Sequence, residues 1–194
     1  LGVNKLAKAE TSFSMPIMKM DEAKDFFKMR DLSRFKALKL KINKSTDPKY
    51  IQAVSEMFNG RLRLDANEAF STVEEYMYFE RELLSLQSRI DFVEQPLPAS
   101  EHEAYFELKF MRTLPLMADE SLLDQDVTVY FKERFDGVNI KLQKAGGYLK
   151  ALRQLRAAKE LKLKTMIGCM VESGLGISSA LNIAYGFDYL DLDG

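Results

Sequence analysis

The sequence predicts an α/β fold, a (β/α)8 TIM-type barrel that stops after its eighth strand. Three observations predict it. Short runs of strand character alternate along the whole chain with longer helical patterns, giving eight strands and seven intervening helices. No Gly-x-Gly-x-x-Gly follows the first strand, which disfavours the rival architecture, a doubly wound open sheet. Charged residues recur where apolar strand segments end, and in a barrel those ends form the mouth of the active site.

The strands follow in order. Residues 11–17 alternate polar and apolar side chains and end near Pro16. Residues 37–42 (ALKLKI) form the second strand, and residues 61–67 (RLRLDAN) the third, after the Asn59-Gly60 turn signal. Residues 91–97 (DFVEQPL) stop at prolines, and residues 114–120 (LPLMADE) make the fifth. Residues 137–142 (GVNIKL), 164–170 (KTMIGCM) and 189–194 (YLDLDG) complete the set.

Helices lie between them. Residues 21–34 open on Asp21 as a predicted N-cap. Asp47-Pro48 puts proline at the first helical position of a helix running to about residue 58. Ser71 and Glu74 have capping-box spacing ahead of a helix to about residue 87. Residues 101–111, 124–131, 147–161 and 176–185 supply the rest.

At 194 residues the chain is read as one domain, 1–194, below the roughly 250 residues typical of a complete barrel. Apolar residues make up 46% and charged residues 29%, the balance of an ordinary globular protein. A formal net charge of −1 argues against nucleic acid as the main partner. A single cysteine excludes an intrachain disulfide and a thiolate metal cluster, and a single histidine excludes a His-rich zinc site. No run of 18 apolar residues suggests a membrane span. The opening Leu1-Gly2-Val3-Asn4-Lys5 carries no signal-peptide pattern, so the reading is a reduced, cytoplasmic protein. The missing initiator Met suggests a start partway into a longer product.

Residues two apart on a strand share a face. Lys39 and Lys41 therefore point the same way, as do Asp65 with Asn67 and Asp191 with Asp193. Asp65, Glu94 and Asp119 end three consecutive strands, so their carboxylates can ring one ion. Oxygen ligands without His or Cys favour Mg²⁺, with Mn²⁺ as the alternative, over zinc. The competing reading makes each carboxylate a helix cap or a partner of a surface lysine. Lys39 and Lys41 lie on the second strand and Lys141 on the sixth, four strands apart in a ring of eight and so on opposite sides. An ammonium on each face suits removal of a proton from one side of a substrate and its return to the other. A lysine base needs a lowered pKa, which a neighbouring cation or a metal supplies, and Lys39 beside Lys41 is placed for that. The competing reading is a set of solvated or salt-bridged lysines.

Lys39-Leu40-Lys41, Leu64-Asp65-Ala66-Asn67, Val93-Glu94-Gln95-Pro96-Leu97, Met117-Ala118-Asp119-Glu120-Ser121 and Ile140-Lys141-Leu142 before Lys144-Ala145-Gly146-Gly147 together resemble the enolase superfamily, in its muconate lactonizing enzyme subgroup. The resemblance runs from about residue 5 to 194 and is greatest to the dipeptide epimerases. It implies that Lys41 and Lys141 act as base and acid on opposite faces with Lys39 assisting. It implies Mg²⁺ on Asp65, Glu94 and Asp119, with Asn67 and Glu120 supporting those ligands. The implied reaction abstracts the proton α to a carboxylate by way of an enediolate. Asp191-Leu192-Asp193 is similar to an Asp-x-Asp that binds the free α-ammonium of L-Ala-L-Glu-type dipeptides in those enzymes, and two carboxylates on one face do make a cation site. Glu172, in the seventh-strand region, is expected to line the pocket as substrate contact or partner of Lys141.

The family also contains N-acylamino acid racemases, o-succinylbenzoate synthases and muconate cycloisomerases, which remain alternatives. A catalytically silent barrel fragment is the non-enzymatic one. The partner expected is a small-molecule carboxylate, with a homo-oligomer left open. Family members carry an α+β capping domain and an eighth helix that this sequence lacks. Glu68-Ala69-Phe70 stands where the family often has Gln or Gly followed by Gly-Trp, and Gln143 where many relatives have Met. His102 is read as a surface or capping residue and Cys169 as a buried structural thiol. Gly146-Gly147 is read either as a tight turn or as an anion-binding helix start.

Overall fold

The computed structural model describes residues 9–194; residues 1–8, where the sequence shows no signal peptide, lie outside them. Eight parallel strands pair in sequence order: β1 (Phe13–Met15), β2 (Ala37–Lys41), β3 (Arg61–Asp65), β4 (Ile90–Glu94), β5 (Leu116–Ala118), β6 (Gly137–Lys141), β7 (Lys164–Gly168) and β8 (Tyr189–Asp191). The ring closes at the β8–β1 seam without a regular ladder. Ser12 N donates to Leu190 O at 3.1 Å, and Leu192 N donates to Thr11 Oγ1 at 2.8 Å. This is the predicted barrel.

The helices are α1 (Met20–Met29), α2 (Pro48–Met57), α3 (Val73–Arg81), α4 (His102–Met111), α5 (Val129–Arg134), α6 (Leu142–Ala145), α7 (Tyr148–Glu160) and α8 (Gly174–Leu181). Among the described residues β8 is the last regular element. The sequence anticipates one helix after β6, but two are found: the turn α6 and then α7, separated by Gly146 and Gly147 at φ +78° and +116°. Positive φ is what glycine tolerates, so this pair is a turn. Among the described helices none is long and apolar enough to cross a membrane.

Local chemistry sets the boundaries. Asp47 Oδ1 accepts from Lys49 N at 2.9 Å ahead of Pro48, the predicted start of α2. The cap of α3 falls one residue later than predicted: Thr72 Oγ1 accepts from Glu75 N at 3.2 Å, and Glu75 Oε2 takes Ser71 N at 2.8 Å. Helix α1 begins at Met20 instead of Asp21 and ends before the Asp31–Ser33 turn, where Ser33 N donates to Asp31 Oδ1 at 3.0 Å. Helix α5 starts five residues later than predicted, at Val129 instead of 124. Gln125 folds that segment into a loop, accepting from Leu123 N at 2.8 Å and donating to Ser121 O at 2.7 Å.

Strand alternation divides the interior. Leu38, Leu40, Leu62 and Leu64 face outward into the buried layer beneath the helices. Phe92, Met117 and Met166 form a second cluster with Tyr189, within the ring. Burying one such side chain contributes about 1.5–3 kcal/mol. Arg63 closes this inner layer, with its guanidinium 4.9 Å from the Tyr189 ring centroid and donating to Leu190 O at 2.8 Å. Above this layer the inward residues become polar.

Candidate active site

The register aligns those polar residues at one level. Lys41 pairs with Asp65 and Asp65 with Glu94 across β2, β3 and β4. On the other side Lys141 pairs with Gly168 and Gly168 with Asp191. Of these, Lys41, Asp65, Lys141 and Asp191 line a cleft of about 620 Å³ together with Asp119, Lys144 and Asp193, while Glu94 lies buried beneath it.

Lys39 lies at its floor. Its Nζ is 2.9 Å from Asp65, 2.8 Å from Glu94 and 2.8 Å from Asp191, with 5% of the side chain exposed. Burial acts against its charge, but Glu94, Asp191 and Asp65 outweigh burial and hold its pKa well above the ordinary lysine value. Lys41 is nearer the mouth and donates to Asp65 Oδ2 at 2.7 Å and Asn67 Oδ1 at 2.5 Å. Lys141 donates to Asp119 Oδ2 at 2.8 Å. Burial disfavours its ammonium too, yet Asp119 and Glu94 raise its pKa. Lys39 is therefore held as the charged neighbour expected beside Lys41, whereas Lys141 is surrounded more closely by anions than by cations.

The carboxylates differ. Burial raises Asp65 and Asp119, but Lys39 and Lys41 on the first, and Lys144 and Lys141 on the second, bring both below the usual range. Asp191 is lowered against burial by Lys39, and Ser12 Oγ donates to it at 2.6 Å. Glu94 goes the other way. It is completely buried, and desolvation together with Asp65, Asp119 and Asp191 pushes its pKa up to about 8 despite Lys39. Asn139 Nδ2 holds Glu94 Oε1 at 2.6 Å; Oε2 touches Lys39 Nζ but has no directed hydrogen bond.

Among the described residues no three carboxylates are placed to hold a metal ion: Asp65, Glu94 and Asp191 converge on the Lys39 ammonium, and Asp119 is turned onto Lys141. The donor set nevertheless fits a hard cation: carboxylates end β3 and β4 and follow β5, and the buried Glu94 Oε2 lacks a directed partner. Asn67 Nδ2 reaches Glu120 Oε1 at 3.1 Å, joining the two residues expected to support the ligands. Burial and Asp119 raise the Glu120 pKa.

The substrate-side residues divide. Asp193 is exposed at the mouth, where Ser14 donates through N to Oδ2 and through Oγ to Oδ1, the latter at 3.1 Å. Asp191 lies beneath it on Lys39. Glu172 folds back on its own loop, accepting from Met170 N at 2.9 Å, and Met170 and Val171 line the cleft in that region. Cys169 lines the cleft half-buried, past the end of β7, instead of within a strand as expected. His102 is absent from the cleft and contacts Tyr130.

Two residues went unassigned in the sequence. Asn139 holds Glu94, and its signal was present: it lies two positions before Lys141 on the same strand face. Lys144 Nζ reaches Asp119 Oδ1 at 2.6 Å and also Asp119 O, one helical turn beyond Lys141.

Comparison with known proteins places this geometry. The family model described as enolase C-terminal domain-like matches residues 21–189. An L-Ala-D/L-amino acid epimerase from Pedosphaera parvula is 37% identical over 186 residues, 95% of this chain and 53% of that protein. A dipeptide epimerase from Enterococcus faecalis V583, solved with Mg and the dipeptide L-Leu-L-Tyr, superposes with a TM-score of 0.84 at 28% identity, covering 95% of this chain and 54% of the other. An enolase family member from Agrobacterium tumefaciens with homology to dipeptide epimerases, solved with bound sodium and L-Ala-L-Glu, gives 0.81 at 26% identity, covering 96% and 55%. The chain thus spans about half the length of the relatives it matches. Barrel, lysine placement and the match over residues 21–189 agree: the chain belongs to the enolase superfamily, in its mandelate racemase/muconate lactonizing enzyme subgroup.

Proposed function

We propose that this barrel carries the catalytic residues of a divalent-cation-dependent epimerase acting α to a carboxylate, with dipeptides such as L-Ala-L-Glu as substrates. The observation that carries the reading is the pair of cationic walls: Lys41 from β2 and Lys141 from β6, with acidic residues on the strands between them. Asp65, Glu94 and Asp119 are the residues that would hold Mg²⁺ or Mn²⁺. Such a cation, when bound, holds the substrate carboxylate and offsets the negative charge that builds there as the α-proton leaves.

The chain's own residues do the rest. Lys41 in its neutral form accepts the α-proton on one face. Lys141 as the ammonium delivers a proton to the opposite face, and in the reverse direction the roles exchange. Lys39, buried among carboxylates, stays charged and adds positive potential beneath the reacting centre. Asp193, exposed and held by Ser14, receives the free α-ammonium of the dipeptide, and Asp191 backs it. The relatives' names, an L-Ala-D/L-amino acid epimerase and a dipeptide epimerase, support this substrate class over cycloisomerisation.

The test is deuterium incorporation from D₂O into a panel of L,L-dipeptides with Mg²⁺, followed by chiral analysis. Exchange with epimerisation is expected in at least one dipeptide and none when EDTA is present. A panel that shows no exchange sinks the reading.

A further inference from the structure

From its hydrogen bonds and backbone, we infer that Gln95 is a positioning residue that sets the spacing between the carboxylates of Glu94 and Asp119. The inference rests on the functional reading above, since it concerns the cation those carboxylates would share. Gln95 directly follows Glu94, is completely buried and does not line the cleft. Its role is therefore exerted through its neighbours.

The side chain ties the end of β4 to the loop after β5. Its Oε1 accepts from Asp119 N at 3.0 Å and from Ser121 N at 3.1 Å. Its Nε2 faces Tyr105 Oη at 2.7 Å, Ser121 Oγ at 2.8 Å and Leu97 O at 3.2 Å. Its backbone continues the tie on both sides: Gln95 N donates to Met117 O at 2.9 Å, and Glu68 N donates to Gln95 O at 2.8 Å. One residue thus joins the segments that follow β3, β4 and β5, the three carboxylate-bearing strands.

The backbone conformation points the same way. Gln95 has φ +38°; Glu68, which donates to it, has φ +62°, and the adjoining Asn67 has φ +42°. A non-glycine residue adopts this region only where its surroundings hold it there, and such residues gather at functional sites. This left-handed residue immediately after Glu94 ends the strand, and its own side chain reaches the β5 loop. Without the amide, Asp119 N would be a buried donor and Ser121 N a half-buried one lacking this acceptor, and the β5 loop would move to find others.

The test uses Mn²⁺ as the probe. Gln95→Met retains the length of the side chain and removes all its hydrogen bonds. Mn²⁺ affinity measured by calorimetry is expected to fall 10–100-fold, with kcat for α-proton exchange falling as well. Tyr76→Phe is the structural control, removing a buried hydroxyl bonded to Glu80 Oε2 at 2.7 Å outside the cleft; it should lower the melting temperature with Mn²⁺ affinity within threefold of wild type. Should Gln95→Met not fold, Tyr105→Phe removes one acceptor of the Gln95 amide and should weaken Mn²⁺ binding several-fold. Folded Gln95→Met (or, in its place, Tyr105→Phe) that binds Mn²⁺ as wild type does, or Tyr76→Phe that loses affinity equally, overturns the inference. A wild-type chain that takes up no Mn²⁺ instead overturns the functional reading, and the clamp with it.

Discussion

Lys39→Met removes a cation that touches Asp65, Glu94 and Asp191 together, at 2.8–2.9 Å, from a site where 5% of the lysine side chain is exposed. Deleting one partner of a buried ion pair costs about 3–5 kcal/mol, because the charges left behind stay desolvated. Three carboxylates would place this case at the upper end. Glu94 tempers that, since burial and the neighbouring carboxylates push its pKa up to about 8 and so disfavour its charge. The expected loss is therefore about 3 kcal/mol at pH 7.5, a large share of the roughly 5–15 kcal/mol that holds a domain together. The assay is urea unfolding followed by circular dichroism, with EDTA present so that no divalent cation substitutes for the lysine. Lys41→Met is the control: its side chain is 38% exposed, and losing its pair with Asp65 should cost under about 1 kcal/mol. Lys39 holds Asp65 and Asp191 below their ordinary pKa, so in the variant both rise and the deficit shrinks as the pH falls toward 5. A Lys39→Met penalty no greater than that of Lys41→Met, or one unchanged between pH 7.5 and 5, would refute the reasoning.

Three further outcomes are expected. Gly168→Ala would drive a Cβ into Asn139 Oδ1; displaced, Asn139 would release Glu94, and NMR should show α-proton exchange at least about tenfold slower. Asp193→Asn should raise KM for free dipeptides by about 10–100-fold, the range of a charged hydrogen bond, and leave N-acylated analogues unaffected in the same kinetic assay. Asp188 accepts from Lys159 at 2.6 Å and Thr165 N at 2.9 Å, and its pKa falls to about 2 against desolvation. A depressed carboxyl pKa stabilises above the unfolded value of 3.8 and loses that contribution as the pH drops toward 2. Discounted for its solvent exposure, Asp188→Asn should cost about 1 kcal/mol at pH 7 and only a small fraction of that at pH 2, read from melting curves at both pH values.

The alternation in Ala37–Lys41 made β2 legible, because inward Lys39 and Lys41 contrast with outward Leu38 and Leu40. Strand ends were harder. The third and fourth strands were expected to run to residues 67 and 97, but Asn67, Glu68 and Gln95 turn left-handed without any glycine to announce it. Spacing alone placed Lys41 and Lys141 on opposite walls. It could not show that Lys39 would settle among three carboxylates, because that contact joins β2 to β3, β4 and β8. Asn139 and Lys144 escaped notice for a related reason: their importance comes from what faces them across the barrel, and no local pattern records it.

The seam between β8 and β1 bears on how the molecule assembles. Ser12 and Asp191 are 179 residues apart, whereas Lys41 and Asp65 are separated by 24. Loop-closure entropy grows with the logarithm of the span, so the first contact costs about 2 kcal/mol more to form than the second. During synthesis the Lys41–Asp65 wall has its partners early, while Asp191 and Asp193 wait for the eighth strand to emerge and find Ser12 and Ser14. The mouth of the cleft is thus completed by contacts that span 179 residues, and a chain stalled before β8 would hold most of the core with an unfinished site.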